Sequence, residues 1–416
     1  MVYIAAPQPR LAWRAAGPVA PVRVEAEAEG TDGVLWQSPW VRSDAHGMRW
    51  GGPPLQAGQR VAWRVVAADG RAASGRMVME LALQRASDWH GEWIVRSNAE
   101  PATPCAWYHE PLPTPLLRRE FTLPANDTVA RATVHVTGLG YNQLFVNGQR
   151  VGDHELDPPL SNYNRTVYYS AYDVTAQLRA GGNAVGLMLG QGWFDLTDMR
   201  LFGSFRFRNT TTVGPMRALL QLNVYLASGQ VLEVVTRGDG SWLCGHNSPV
   251  QMNNIYFGEV VDARLAALVD GLLMPGYEAT APLWQPCLAA DDTQVHVEGQ
   301  PLPPGRSLPT PTLAPAPPIR VTATWAPASI TLLPDGAIVL DFGVELTGWL
   351  EMTVEGASPG DVVQLIYAER LNVTSRSGHV DPTSSAAGSL GRWCNPQSSC
   401  ADIWGPWLVI FGVGAG

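Results

Sequence analysis

The chain has 416 residues, 46% of them hydrophobic, which is enough for two or three domains with separate cores. Its formal net charge of −9 argues against a nucleic-acid partner, because such a partner needs a basic face. No long apolar run or basic amphipathic segment indicates a membrane partner. All 28 basic residues are arginine, so lysine-dependent chemistry such as Schiff-base catalysis is excluded.

Residues 1–88 contain short alternating strands, among them Val22–Glu27 and Arg60–Val66. Asp-Gly turns follow at Asp32 and Asp69, a pattern typical of a small β-sandwich. The N-terminal residues lack the charged region and sustained apolar core of a signal peptide. The sequence as given leaves the compartment open, with a cytoplasmic location as the default.

Residues 89–280 form a second, larger β unit. Phe145 and Val146 run directly into Asn147-Gly148, and Asn-Gly supplies the positive φ angles of a two-residue type I′ hairpin. Other alternating apolar runs in this unit are bounded by Gly, Asn and Pro. Together they predict a β-sandwich whose loops gather at one end.

Residues 281–318 are expected to be a linker, because the stretch 301–318 is dense in proline and should be extended. A third β domain is expected over 319–416, with strands at Ile338–Phe342, Trp349–Val354 and Val362–Tyr367. Helical periodicity is nearly absent, and Val261–Leu268 is the best short candidate. The five cysteines form no C-x-x-C pair, which disfavours zinc, although Cys394 and Cys400 could close a loop.

Five motifs of the second unit occur in a fixed order. They are Arg118–Phe121, Gly138–Tyr141, Asn147-Gly148, Tyr172–Thr175 and Leu189–Trp193. In this order the chain closely resembles the N-terminal region of the bacterial-type alpha-L-rhamnosidases, which are inverting glycoside hydrolases that release terminal L-rhamnose. The resemblance implies an all-β fold of tandem β-sandwiches: fibronectin-like over 1–88, jelly-roll over 89–280, and the start of a third sandwich.

In the resembled family a catalytic α/α barrel follows these sandwiches, and this chain lacks it. The tail from Ser375 also loses the family pattern, so we expect a truncated chain that is inactive alone. Glycoside hydrolysis needs two carboxyl groups, and the family's pair lies on the barrel. We therefore assign no catalytic residue. The carboxylates of Asp341, Glu345, Glu351 and Glu369 would form such a pair only by coincidence, and Glu369 is expected to be a structural hydrogen-bonding or barrel-contacting group.

A sugar-binding site is the more plausible local function. Asp157, Asn162 and Tyr163 lie on a proline-containing loop, and Trp193 and Asp195 follow a Gly-x-Gly turn. Aromatic faces stack on sugar rings, while amide and carboxylate oxygens bind hydroxyl groups or calcium. Rhamnose-containing glycosides are the partners that the resemblance implies; no cofactor is required, and calcium would fit in the second domain.

Two alternatives stay open. In the first, Trp193 fills the interior of the sandwich and the loop Asn and Asp side chains complete turns, which is their commoner role. In the second, the protein is a non-catalytic, lectin-like carbohydrate-binding module.

Overall fold

A computed structural model gives the fold. It describes residues 1–416 except 15–19, 30–32, 43–46, 71–73, 97–112, 196–199, 202–204, 207–209, 247, 255–257, 269–270, 272, 280–282, 354, 357, 359–360, 368–390, 394–400, 404–408 and 412–416. Of the residues named above, Asp32, Val354, Glu369, Ser375, Cys394 and Cys400 lie outside the described part. The described chain is all-β, as predicted.

The first sandwich buries alternate residues of its strands. These are Val2–Ile4 (β1), Arg10–Ala12 (β2), Val22–Ala28 (β3), Val34–Gln37 (β4), Gly47–Arg49 (β5), Arg60–Ala67 (β6) and Met77–Leu81 (β7). One sheet has the order β1-β7-β6-β3-β4, and β2 pairs with β5. Val24 and Ala26 of β3 pack with Trp50 and Val61 in one core, as the period of two along a strand requires.

The second domain is built from two packed sheets. Its strands are Ile94–Val95 (β8), Leu116–Leu123 (β9), Val129–Leu139 (β10), Tyr141–Val146 (β11), Gln149–Arg150 (β12), Tyr168–Asp173 (β13), Gly181–Gly190 (β14), Arg200–Leu201 (β15), Phe205–Arg206 (β16), Thr212–Val213 (β17), Arg217–Leu226 (β18), Val231–Val235 (β19), Leu243–Gly245 (β20), Val250–Asn254 (β21), Gly258–Val261 (β22), Trp284–Pro286 (β23), Leu288–Ala289 (β24), His296–Val297 (β25), Gln300–Pro301 (β26) and Thr312–Leu313 (β27). One sheet runs β24-β8-β18-β10-β13-β27 with β19 on β18, and the other runs β12-β11-β14-β9-β20-β23.

The core of this domain lies between the two sheets. Val134 and Leu222 from one sheet and Val185 from the other are fully buried in a single apolar cluster. Trp242 completes the cluster and donates its indole N–H to the carbonyl of Val235 at 2.8 Å. The sandwich is therefore a rigid support for the loops at its ends.

The Asn147-Gly148 hairpin is confirmed. Val146 pairs with Gln149 across a two-residue turn, and both central residues have positive φ, 50° for Asn147 and 79° for Gly148. These are the angles that a type I′ turn requires. The Asn147 side chain also accepts a hydrogen bond from the backbone N–H of Ala184 at 2.8 Å, which ties the turn to β14.

The described part of the segment 281–318 contains short strands and, at Asp292–Gln294, a 3₁₀ turn, and it packs on the second domain along its length. Strand β23 pairs with β20, β24 pairs with β8, and β27 pairs with β13. Leu302 and Leu308 are buried in an apolar cluster of the second domain. Proline forbids neither edge pairing nor burial of neighbouring leucines, so the segment closes the sandwich instead of linking two domains.

A disulfide joins Cys244 to Cys287, with their Cα atoms 5.1 Å apart. Both cysteines are fully buried. Cys244 lies on β20 and Cys287 follows β23, so the bond fastens the start of the extended segment to the sheet.

Glu80 is buried where the first and second sandwiches meet. Its carboxylate accepts hydrogen bonds from Arg60 Nε and, at 3.1 Å, from Thr133 Oγ1. Arg60 Nη2 also bonds Asp173 Oδ2 at 3.0 Å, and Arg131 Nη1 lies 3.4 Å from Glu80 Oε2. The Arg60–Glu80 ion pair is buried within the first sandwich, and the bonds to Thr133, Asp173 and Arg131 tie it to the second.

The third part of the chain has few described strands. They are Ser329–Leu332 (β28), Ile338–Asp341 (β29), Leu346–Gly348 (β30), Gly391–Trp393 (β31), Ala401–Ile403 (β32) and Val409–Phe411 (β33). A turn at Asp335-Gly336 joins β28 to β29, and Gly336 has φ of 91°. The strands expected at 349–354 and 362–367 are not formed in their described residues, because apolar alternation alone does not supply a pairing partner.

Helices are short. Those with described bounds are 3₁₀ turns at Ala86–Asp88, Thr175–Gln177, Ala263–Leu268 and Asp292–Gln294. The third of these falls within the predicted candidate Val261–Leu268. In the described part of the chain, no helix is long and apolar enough to cross a membrane.

Candidate carbohydrate site at the loop end of the second domain

Two loops of the second domain meet at one end of the sandwich. We call residues 157–166 the Asp157 loop and residues 191–195 the Trp193 loop. The rings of Tyr163 and Phe194 pack edge to face, with centroids 5.3 Å apart and an interplanar angle of 88°. Both rings are buried in an apolar cluster that also contains Leu139 and Val295. The structure therefore brings together the two loops that carry the predicted site residues.

Phe194 is the residue of the Trp193 loop that fills the interior. It is fully buried, whereas Trp193 and Asp195 on either side are half-buried. The turn is tight: Asp195 N donates to Gln191 O at 3.1 Å, and a Cβ added to Gly140 would lie 2.3 Å from the same carbonyl oxygen. With Phe194 held inside, the loop keeps Trp193 and Asp195 near the surface.

Asp157 is buried, with 5% of its surface exposed. Its carboxylate accepts hydrogen bonds from Ser170 Oγ at 2.8 Å and from Tyr172 OH at 3.1 Å, and His154 Nδ1 lies 3.4 Å away. Burial first, and then the charge of Asp157, raise the pKa of Tyr172, so its hydroxyl stays a donor. In this structure the carboxylate holds the base of the loop, and its role in binding sugar stays a prediction.

Asn162 is exposed and Tyr163 is not. Asn162 Oδ1 accepts a hydrogen bond from Asn164 N at 3.2 Å, and its carbonyl accepts from Arg165 N and Thr166 N at 2.8 Å each. This is the turn geometry expected of a loop asparagine. Burial raises the pKa of Tyr163, which packs as a core residue. Of the five predicted residues, Asn162, Trp193 and Asp195 can thus be reached from solvent.

Two further polar residues, Arg96 and His246, lie at this end of the sandwich. Arg96 follows β8 and His246 follows β20, and Cys244 Sγ lies 3.6 Å from the carbonyl oxygen of Val95. Burial lowers the pKa of Arg96, and the charge of Asp195 opposes that shift. Burial, and then the charge of Arg96, lower the pKa of His246. Nothing in the sequence signalled these residues, because they are far from both loops along the chain.

The loops do not present an evident calcium site. Among the described residues, no three His, Cys, Asp or Glu side chains converge as metal ligands. Both Asp157 oxygens already accept hydrogen bonds from Ser170 and Tyr172. Since calcium favours several oxygen ligands, these residues as arranged do not fit the ion.

Sequence models of three protein domains match the chain in order. The Rha78A-like, N-terminal immunoglobulin domain matches residues 1–83, and the alpha-L-rhamnosidase N-terminal domain matches 127–306. The bacterial alpha-L-rhamnosidase concanavalin-like domain matches 331–389.

Several relatives are described as alpha-L-rhamnosidases. A Formosa agariphila protein is 28% identical over 64% of this chain, and a Streptomyces avermitilis protein is 31% identical over 62%. These matches cover only 25% and 22% of the relatives, so the chain spans about a quarter of their length.

Solved structures give the same result for the fold. The native alpha-L-rhamnosidase of Aspergillus terreus has a TM-score of 0.66 at 28% identity, covering 84% of this chain and 38% of that one. The Streptomyces avermitilis alpha-L-rhamnosidase complexed with L-rhamnose has a TM-score of 0.73 at 21% identity, covering 91% and 51%. The latter likeness shows the fold alone.

Proposed function

Because this chain belongs to the bacterial alpha-L-rhamnosidase family and carries its N-terminal β-domains, we propose that it is the N-terminal portion of a glycoside hydrolase that releases terminal L-rhamnose. The three domain matches in the family's order support this proposal. The relatives' length outside the match has ample room for a catalytic domain, which the proposed activity requires.

The described carboxylates of the third part give no reason to place the chemistry in this chain. An inverting hydrolase needs an acid and a base roughly 6.5–9.5 Å apart around the sugar. Asp341 Oδ1 instead accepts a hydrogen bond from Gly343 N at 2.7 Å and completes a turn. Glu345 and Glu351 are exposed to solvent. We therefore place the proposed catalysis outside the described residues.

For the chain itself we propose carbohydrate binding at the loop end of the second domain. The observation that carries this proposal is the arrangement of the Trp193 loop. Buried Phe194 anchors the loop, and half-buried Trp193, which packs against the same apolar cluster, stands next in the chain but one to half-buried Asp195. Exposed Asn162 lies on the adjoining loop, joined through the Tyr163–Phe194 contact. An aromatic face with a few polar groups is the usual composition of a sugar site.

Calorimetric titration with L-rhamnose, with and without calcium, tests the binding. We expect weak binding, because one monosaccharide on an open surface makes few contacts. Trp193→Ala should abolish the heat signal. Trp325→Ala is the matched control, because Trp325 is an exposed tryptophan of the third part, 55% accessible, and should change nothing. Absence of binding in both conditions, or equal binding by Trp193→Ala, would leave the domain as a scaffold.

A further inference from the structure

The first sandwich displays a tryptophan at its surface. Trp40 is 46% exposed, although the backbone of its loop is held on strand β3 from both sides. On one side Ser38 N donates to the carbonyl of Val24 at 2.9 Å. On the other side Val22 and Val41 exchange two backbone hydrogen bonds of 2.8 Å each. A large aromatic ring that a fixed loop keeps in water can bind a ligand at little cost in conformational entropy.

Two arginines beside this ring are held by one carboxylate. The guanidinium carbon of Arg23 lies 4.8 Å from the centre of the Trp40 ring. Arg23 Nε and Nη2 donate to Glu25 Oε1 at 3.0 and 2.6 Å, and Arg64 Nε and Nη2 donate to Glu25 Oε2 at 3.2 and 2.9 Å. Glu25 and Arg64 are opposite each other on the paired strands β3 and β6. Each guanidinium group is therefore held by two charge-assisted hydrogen bonds.

This cluster has a net positive charge and unused donors. Burial tends to raise the pKa of Glu25, but hydrogen bonds from Arg23 and Arg64 lower it, so one carboxylate faces two guanidinium groups. Glu27, the next outward residue of β3, is paired with Arg76 at 3.0 Å. In the described part of the chain the hydrogen bonds of Arg23 and Arg64 go to Glu25 alone, which leaves both Nη1 groups free. Their side chains are 28% and 49% exposed, so a ligand can reach them.

We propose that Arg23, Arg64 and Trp40 form a binding site for an acidic sugar, a uronic acid unit whose carboxylate accepts hydrogen bonds from the free guanidinium N–H groups while its ring contacts the exposed part of Trp40. The planar fork of a guanidinium matches a carboxylate, and an indole offers an apolar surface to the C–H groups of a sugar ring.

The short distance between Arg23 and Trp40 favours a sugar over an acidic peptide. A uronic acid carries its carboxylate directly on the ring, so both groups of the ligand reach their partners together. An aspartate or glutamate side chain has a carboxylate on a flexible stem and no ring for Trp40. The site lies on the first sandwich and takes a charged ligand, so it goes beyond the rhamnose binding proposed for the second domain.

Titration with tri-galacturonate, a short chain of uronic acid units, tests this site. Trp40→Ala removes the ring and Arg64→Met removes one guanidinium, and neither residue is buried, so the sandwich should still fold. We expect affinity at least about tenfold lower for each variant, and weaker binding at about 0.5 M salt, which screens exposed charges. Arg76→Met and Trp325→Ala are the matched controls, because both residues are exposed and lie outside the site.

Three further ligands decide what the site recognises. Galactotriose, which lacks the carboxylate, and acetate, which lacks the ring, should each bind at least about tenfold more weakly than tri-galacturonate. Equal affinity for acetate would reduce the site to a simple anion site, and tighter binding of tri-glutamate would assign it to an acidic peptide. Either result overturns the proposal. So does undiminished binding of tri-galacturonate by both Trp40→Ala and Arg64→Met, or the absence of binding by the unmodified protein.

Discussion

Tyr163 and Phe194 meet edge to face with their centroids 5.3 Å apart, and this contact joins two loops although the two residues are 31 positions apart in the sequence. Aromatic pairs in this geometry contribute about 0.5–1.5 kcal/mol beyond their burial. The contact fixes one end of the second domain, where the candidate carbohydrate site lies.

Phe194 and Trp193 should therefore respond differently to truncation. Phe194→Ala should destabilise the second domain by about 3–5 kcal/mol, because it leaves a cavity in a closed cluster. Trp193→Ala should lower the melting temperature much less but remove rhamnose binding. Thermal unfolding and titration of both variants measure the two effects. Equal loss of stability would show that Trp193 is also a core residue.

Gly148→Val should destabilise the second domain. Gly148 has φ of 79°, a backbone conformation that strains a β-branched residue whatever surrounds it. In addition, a Cβ at this position would lie 2.5 Å from Met274 Sδ. We expect a loss of about 1–3 kcal/mol in denaturant unfolding. Gly75→Val is the control, because a Cβ at Gly75 meets nothing within 4 Å and no left-handed φ is involved. Similar unfolding midpoints for both variants would contradict the turn assignment.

Reduction of the Cys244–Cys287 disulfide should lower stability. Opening a cross-link between residues 43 apart in the sequence increases the conformational entropy of the unfolded chain. This increase lowers the free energy of unfolding by about 4 kcal/mol. Melting with and without a strong reductant measures the effect. The double variant Cys244→Ala/Cys287→Ala should melt at a lower temperature than the oxidised protein, and its melting temperature should not change when reductant is added. Intact thiols in the folded, oxidised protein, found by mass spectrometry, would refute the bond.

His135 should make stability depend on pH. Burial lowers its pKa from 6.5 to about 4, and the ring packs edge to face against Trp89 and Tyr169. Between these two pH values His135 is protonated in the unfolded chain but neutral in the folded chain. Protonation therefore favours unfolding, and stability falls as pH drops from about 6.5 to about 4. The contribution is at most about 1.4 kcal/mol per pH unit.

The matched variants for this effect are His135→Leu and His90→Gln. His135→Leu should show a shallower fall of melting temperature between pH 6.5 and pH 5 than the unmodified protein. His90 is a surface residue paired with Glu233, and its replacement should leave the slope nearly unchanged. An unchanged slope in His135→Leu would mean that His135 does not control this range.

The 416-residue chain expressed alone should not hydrolyse an aryl rhamnoside. The described carboxylates of its third part are exposed or complete turns, and hydrolysis needs two of them placed around a sugar. Release of the aryl product can be followed by absorbance. Activity that disappears in Glu345→Gln would place a catalytic carboxylate in this chain and overturn the expectation.

Local chemistry in the sequence determined the features that depend on neighbouring residues. Asn147-Gly148 specifies positive φ within the dipeptide itself, so the hairpin was predictable without its surroundings. The alternating runs likewise gave the all-β class. The ordered motifs from Arg118 to Trp193 gave the family, because their spacing reflects a shared chain path.

Only the tertiary structure decided the features that depend on distant residues. Trp193 and Phe194 are adjacent and both aromatic, and packing against Tyr163 selects Phe194 for the interior. Strand order brings Cys287 to Cys244, although the spacing of the five cysteines does not predict this pair. Backbone angles are set by a residue and its neighbours, whereas proximity across two sheets exists only after the whole sandwich has closed.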